Sequence, residues 1–393
     1  MSLSLLVASA DDSLRELVRD LLLNMPNGRI VNEYPDVSPN LYIRVLQDLE
    51  RHPEAALVVD ISSDPISGIK ALEKLRQAVP DIYIIATDYS TDGDSILLTM
   101  RSGANDYLLM PVKRADMRDA LSRLERAPRR HAGSTASQLA RVYTFIGAKG
   151  GVGTTTLAVN FAGVLAQRKQ NIVLVDVDWH ANDVCMQLGL QPQYTLLEVA
   201  ENLNRMDQAL FEGFVARDPL GFFVVGPPDP LEAGRGYFNE PTLREFSTFL
   251  VEKYNGVVFD AGNDITEELV QGALQVSSTV FLVITQEFPA IRNAQRYISY
   301  LMRMGFTADQ IKVVVNRYTK TVGPHLATLE QIQQTLNQAV FYGIPNSPSV
   351  PQSINKSRPL VADRQLFPEM DKTIRAFVDK ATGGKPALQM SAQ

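Results

Sequence analysis

The chain has 393 residues, 45% hydrophobic and 21% charged, with a formal net charge of −6 and a single cysteine, Cys185. This is ordinary globular composition, long enough for two domains; its acidic balance excludes a wholly basic nucleic-acid binder while leaving room for a local basic patch. One cysteine excludes an internal disulfide framework and suits a reducing compartment.

The opening stretch MSLSLLVASADDS has no basic n-region, and its apolar run stops at the acidic pair Asp11 and Asp12, so no secretory leader is expected. No apolar run approaches the ~20 residues of a membrane-spanning helix. The expectation is a soluble, cytoplasmic protein. Strand and helix patterns then alternate. LSLLVAS, ALVVD (ending at Asp60), IYIIAT (ending at Thr87) and DYLLM read as strands. DSLRELVRDLLLNM, GIKALEKLRQAV, DSILLTMRSG and RADMRDALSRLER read as the helices that follow them. Short apolar strands alternating with amphipathic helices predict a parallel sheet covered by helices, a doubly wound α/β domain over residues 1–125.

Residues 126–141, RAPRRHAGSTASQLAR, carry little apolar periodicity and read as a linker. Beyond it the alternation restarts, predicting a second doubly wound α/β domain over 142–382. RVYTFIGA, NIVLVDVD, GFFVVG, GVVFDAG, TVFLVITQ and IKVVVNRY are buried strands, with helices expected over 242–254, 292–304 and 326–338. The last helical pattern, EMDKTIRAFVDKAT, sets Met370, Ile374, Phe377 and Val378 on one face. Its polar face lacks the strong basic bias of interfacial helices, so that face is expected to meet the core. Residues 383–393 read as a flexible tail.

In an open parallel sheet, ligands gather at the carboxyl ends of the strands. Asp11, Asp12 and Asp60 fall there, and three converging carboxylates call for a cation such as Mg²⁺. Thr87 ends the next strand, and SGANDYLLMP leads through Met110 to Pro111. This set resembles the response-regulator receiver domain, a flavodoxin-like fold, over residues 1–125. The resemblance makes Asp60 the phosphoacceptor position. It also calls for a lysine where Met110 stands, and methionine cannot pair with a phosphoaspartate. The expectation is a receiver fold that is not phosphorylated and serves as a docking or dimerisation surface.

The second domain carries FIGAKGGVGTTTLAVNFAG over residues 145–163. Gly150, Gly151 and Gly153 let the backbone turn tightly and aim its N–H groups inward, and the helix expected from about residue 155 presents its positive end to the same spot, an anion site. The phosphate-loop pattern G-x-x-x-x-G-K-[ST] places a lysine where Thr154 stands and an Mg²⁺-binding hydroxyl at Thr155. The stretch resembles the K-G-G-x-G-K-[ST] loop of the MinD/ParA ATPases. That resemblance assigns ATP to Lys149, Gly150, Gly151, Val152, Gly153, Thr154, Thr155 and Thr156. It makes Lys149 the signature lysine, which crosses a dimer interface to the partner's nucleotide. By the same resemblance Asp176 and Asp178 lie in the first switch, with Asp178 orienting the attacking water. Asp260 stands near Mg²⁺ through water, Gly262 senses the γ-phosphate, and Asn316 and Arg317 recognise adenine. The family's second switch reads D-x-P-x-G; DAGND here has no such proline. The stretch YGIPNSPSVPQSINKSRPLV resembles the family's closing segment, a proline-bearing loop beside the base. Without the second lysine, binding is expected to survive on backbone amides, Mg²⁺ and the helix terminus, while turnover slows; Lys149 supplied across a dimer can restore part of it, as an arginine finger does elsewhere.

A degenerate receiver, a linker and a deviant phosphate loop in one chain resemble the TadZ/CpaE family of Flp (tight adherence) pilus assembly. That resemblance implies a nucleotide-dependent homodimer at a cell pole, set there by a polar landmark and recruiting the pilus secretion machinery with its separate motor ATPase. Other readings are a ParA-type partition ATPase that binds DNA, supported only by the arginines of the linker, and a receiver-containing regulator with ATPase output, against which Met110 argues. A membrane-cycling regulator draws little from the C-terminal helix. An electron carrier of this fold needs metal-ligating cysteines, and Cys185 stands alone.

Overall fold

The computed structural model describes residues 3–23, 25, 28–37, 41–127, 141–228, 238–320 and 326–383. Most of the expected linker and tail lie outside them. The chain divides into two compact units, the first over Met1–Leu139 with Met302–Thr307 and the second over Ala140–Leu301 and Ala308–Gln393.

The first unit runs β1 (Leu3–Ala8), α1 (Asp12–Leu23), β2 (Gly28–Tyr34), α2 (Leu41–Arg51), β3 (Ala56–Asp60), α3 (Pro65–Ala78), β4 (Ile84–Asp88), α4 (Gly93–Arg101), β5 (Asp106–Leu109) and α5 (Arg114–Arg126). Its five strands are parallel in the order β2-β1-β3-β4-β5, the flavodoxin-like order. β1, β3 and β4 are buried along their whole length, as a sheet covered on both faces requires. Asp64 caps α3 by accepting from the Ser67 amide at 3.1 Å, with Pro65 in the first turn. The sequence expectations passed over β2 and α2. β2 is an edge strand, GRIVNEY, only partly buried, so it lacks the continuous apolar run that marked its neighbours.

The second unit runs β6 (Arg141–Gly147), α6 (Thr154–Gln167), β7 (Ile172–Asp176), α7 (Asp183–Leu188), α8 (Leu196–Asn202), α9 (Gln208–Phe214), β8 (Ala216–Arg217), β9 (Phe223–Val225), α10 (Glu240–Lys253), β10 (Gly256–Asp260), α11 (Glu268–Gln275), β11 (Thr279–Ile284), α12 (Phe288–Arg303), β12 (Ile311–Tyr318), α13 (Leu329–Leu336), β13 (Val340–Pro345), α14 (Ser349–Asn355) and α15 (Pro368–Thr382). The sheet order is β13-β12-β11-β6-β10-β7-β9-β8, parallel except for the β8–β9 pair. The expected helix bounds shift by a few residues. Asn239 caps α10 earlier than expected, and the Thr328–Gln331 capping box starts α13 later. The closing segment, in which the resemblance places a proline-bearing loop, also holds the end of the edge strand β13 and the short α14.

Phe145, Phe161, Phe281 and Phe377 pack together beneath the central strands, with ring centroids 4.7 Å apart for Phe145–Phe281 and 5.2 Å for Phe281–Phe377. Met370, Ile374, Phe377 and Val378 of α15 are buried in the same core, so the apolar face of that helix is used within the fold. No helix among the described residues is long and apolar enough to cross a membrane. Phe281→Ala is expected to lower the unfolding free energy of this unit by ~3–5 kcal/mol. Urea titration should show it as a lower midpoint with an unchanged slope.

Candidate functional site

β6 ends beside its neighbours: the Gly147 amide donates to the Gly262 carbonyl at 2.8 Å and the Ala148 amide to the Val283 carbonyl at 2.9 Å. From there the loop 148–153 returns into α6 through two left-handed glycines, Gly151 at φ 76° and Gly153 at φ 94°. Gly150 and Gly151 face open space, whereas a Cβ on Gly153 would run into the Asn316 side-chain amide. Val152 is buried in the core, so it can offer a ligand only its backbone. Thr154, at the position of the missing lysine, is 7% exposed and folds its hydroxyl back over Gly147 at the end of β6. It therefore does not stand in for an ammonium. Thr156 turns toward α7, donating to Gln187 at 3.2 Å. The first-turn amides of α6, with no partner inside the helix, face the loop's concavity.

The acidic residues sit on the next two strands. Asp176 and Asp260 are register partners at the ends of β7 and β10. Asp176 accepts from the Asp178 amide at 3.0 Å and the Val184 amide at 3.2 Å. Burial, then the charge of Asp260, holds its carboxyl well above the usual carboxylate range. Burial pushes Asp260 up to about 7, opposed by a hydrogen bond from the Thr155 hydroxyl and reinforced by the charge of Asp178. Asp183 is raised by burial and by Asp178. Asp178 accepts from the His180 amide at 3.1 Å and lies so close to Gly262 that a Cβ there would strike its carboxylate. The two expected switch segments thus touch.

No group of three or more His, Cys, Asp or Glu among the described residues is arranged to cage a metal. The Thr155 hydroxyl beside Asp260 offers the sparser donor set that suits Mg²⁺, which keeps several waters and shares its shell with phosphate oxygens. Beside the loop lies a cavity of about 330 Å³ lined by Gly153, Thr156, Asn316, Arg317, Pro345 and Val350 among others. A largely apolar cavity opening at a phosphate-type loop fits a nucleotide base.

Asn316 does more for the protein than the sequence suggested. Its Nδ2 donates to the Val152 carbonyl at 2.7 Å and its Oδ1 accepts from the Arg317 amide at 2.9 Å, so the side chain ties β12 to the loop. Three residues of or beside α12 were not anticipated. Asn293 donates to the Ala148 carbonyl at 3.0 Å, Tyr297 donates to the Asn263 carbonyl at 2.6 Å, and Glu287 pairs with Lys149. The spacing of Asn293 and Tyr297 puts them on one helix face, yet nothing in the sequence marks that face as the one meeting the loop.

In the first unit the expected convergence of three carboxylates is not found. Asp12 opens α1 with its side chain 84% exposed and paired with Arg15, and Asp11 accepts from the Ser13 amide at 2.8 Å. Asp60 is buried with both oxygens engaged, one by the Ser9 hydroxyl at 2.7 Å, the other by the amide and hydroxyl of Ser62 at 3.0 and 2.6 Å. The physical reason is local: Arg15 takes Asp12, and short hydroxyl and amide donors satisfy Asp11 and Asp60 without a cation. Thr87, the register partner of Asp60, is fully buried and its hydroxyl has no hydrogen-bond partner among the described residues. Met110 is buried in the apolar core of this unit.

The raised carboxyl of Asp260 destabilises the ligand-free fold as pH rises. Its folded value of about 7 lies above the ordinary carboxylate range, so its contribution is complete below that range and is lost as pH rises to the folded value. Asp260→Asn, which keeps an acceptor for Thr155, is expected to raise the melting temperature at pH 8, with the gain shrinking toward pH 4. An equal or lower melting temperature at pH 8 would contradict this.

Residues 143–360 match the CbiA family, the CobQ/CobB/MinD/ParA nucleotide-binding domain. The septum site-determining protein MinD of Thermotoga maritima is 26% identical over 220 residues, 54% of this chain and 78% of that one. MinD of Synechocystis is 25% identical over 230 residues, 58% and 84% of the two chains. Among solved structures, a ParA family ATPase from Chlorobium tepidum aligns with a TM-score of 0.55 at 20% identity, over 62% of this chain and 98% of its own. MinD of Pyrococcus horikoshii, solved with Mg-ADP, aligns with a TM-score of 0.52 at 19% identity, over 65% and 100%; at such identities the likeness is one of fold. With a family match over more than half its length and the loop, acids and base-sized cavity in place, the chain belongs to the CobQ/CobB/MinD/ParA nucleotide-binding family.

Proposed function

We propose that this protein binds ATP with Mg²⁺, forms a homodimer across the bound nucleotide and acts as a localisation factor of Flp-type pilus assembly, in the manner of the TadZ/CpaE family. The observation that carries the nucleotide part is the joining of loop and cavity: the left-handed Gly153 borders the cavity that Asn316 and Arg317 also line. Thr155 and Asp260 would hold Mg²⁺, which when bound neutralises phosphate charge. Loop amides and the α6 terminus would take the phosphates, the cavity the base, and Asp178 the water, while Lys149 would reach the nucleotide of the second copy. With Thr154 folded onto Gly147, the second loop ammonium is missing, and turnover would run up to roughly 10²–10³ below that of a complete site, less the part that Lys149 of a second copy restores.

The pilus assignment rests on the arrangement of the whole chain. In this reading residues 1–125 form a receiver-like docking domain and 142–382 the ATPase domain. The engaged oxygens of Asp60 and the buried Met110 favour a first domain that docks without being phosphorylated. The protein would sit at a cell pole near the inner membrane, recruiting the secretion machinery and its motor ATPase.

Calorimetry with Mg-ATP should show binding by the wild type and at least a ten-fold loss in Gly153→Ala, whose added Cβ meets Asn316 at a left-handed position. Absence of nucleotide uptake by the wild type would sink the reading. Affinity capture from cells should recover pilus secretion components with the wild type and fewer with Lys149→Ala; recovery of DNA in their place would favour partition.

A further inference from the structure

Lys149 is engaged inside its own chain, where its ammonium forms an ion pair with Glu287, the residue just before α12. The acid is well anchored. The Glu287 carbonyl accepts from the amides of Ala290 and Ile291 at 3.1 and 3.2 Å, starting the helix. α12 is then fixed to the loop by Asn293 and to the second switch by Tyr297. Gly150 and Gly151 follow the lysine, and a Cβ on either would meet nothing within 4 Å, so its long side chain has open space beside it. An anchored carboxylate therefore faces a cation carried on a flexible four-carbon stem.

We propose that Glu287 gates the assembly of two copies: it holds Lys149 within its own chain, and Lys149 must leave it to reach nucleotide bound by a second copy. This rests on the two-copy reading above. Contact with a phosphate group on the other copy replaces one carboxylate partner by a more highly charged anion, so the exchange is favourable only when nucleotide is present. Lys149 and Glu287 are 35% and 48% exposed. An ion pair so open to water is a bias and not a lock, and its removal shifts the equilibrium roughly two- to five-fold.

The test uses the full chain with Mg²⁺ and a fluorescent, non-hydrolysable ATP analogue, following uptake by fluorescence and mass by light scattering across protein concentrations. Glu287→Gln is expected to take up the analogue like the wild type and, since two such pairs open per dimer, to reach half-dimer at roughly four- to twenty-five-fold lower protein concentration. In a Lys149→Ala background the same substitution should change nothing, which separates the gate from a general structural effect of position 287. If Glu287→Gln takes up the analogue but dimerises at the same or a higher concentration, the gate is wrong while the nucleotide site stands. If neither the wild type nor the variant takes up the analogue, the reading of the site itself fails, and the gate with it.

Discussion

A strand buried on both faces leaves its sheet only at an end, and at the end of β6 the chain has six residues in which to turn and start a helix. Small residues make this feasible. Gly147 has no side chain, so Thr154 can lie against it; Gly151 and Gly153 take left-handed backbone angles that side chains disfavour. The result places the first turn of α6 directly over the carboxyl end of the sheet, where β7 and β10 deliver Asp176 and Asp260. The anion site and the acidic site are thereby set side by side, and the remaining features of the second unit adjust to that placement.

Electrostatics then explains why the site is arranged for exchangeable cations. Asp176, Asp178, Asp183 and Asp260 crowd one end of the sheet, and three of them are pushed toward protonation by burial and by one another. A lysine in the loop would offset that charge in the empty protein. Here its place is taken by a buried threonine, and Lys149 is turned to Glu287. Among the loop residues, neither the buried Thr154 nor the Glu287-paired Lys149 offsets that charge.

The first unit has a flavodoxin-like framework whose acids are engaged in local structure. Ser9 and Ser62 enclose Asp60, Arg15 takes Asp12, and Met110 joins the apolar core. A carboxylate with both oxygens occupied by fixed donors is poorly disposed to attack, whereas the sheet and helices around it are intact.

Sequence by itself determined what depends on near neighbours in the chain. Apolar runs gave the buried strands, helical spacing gave the helices on either side, and the glycines of Lys149–Thr156 marked the turn from β6 into α6. Where the apolar signal weakens, as at the edge strands β2 and β13, the elements were passed over or read as loop. Only the tertiary structure decided which distant residues meet: Glu287 with Lys149, Asn293 with Ala148, Tyr297 with Asn263, and Asn316 with Val152, the last pair separated by 164 positions. Those contacts are fixed by how helices and strands pack, and a hydrogen-bonding side chain on a helix face carries no local mark of which partner the packing will bring to it.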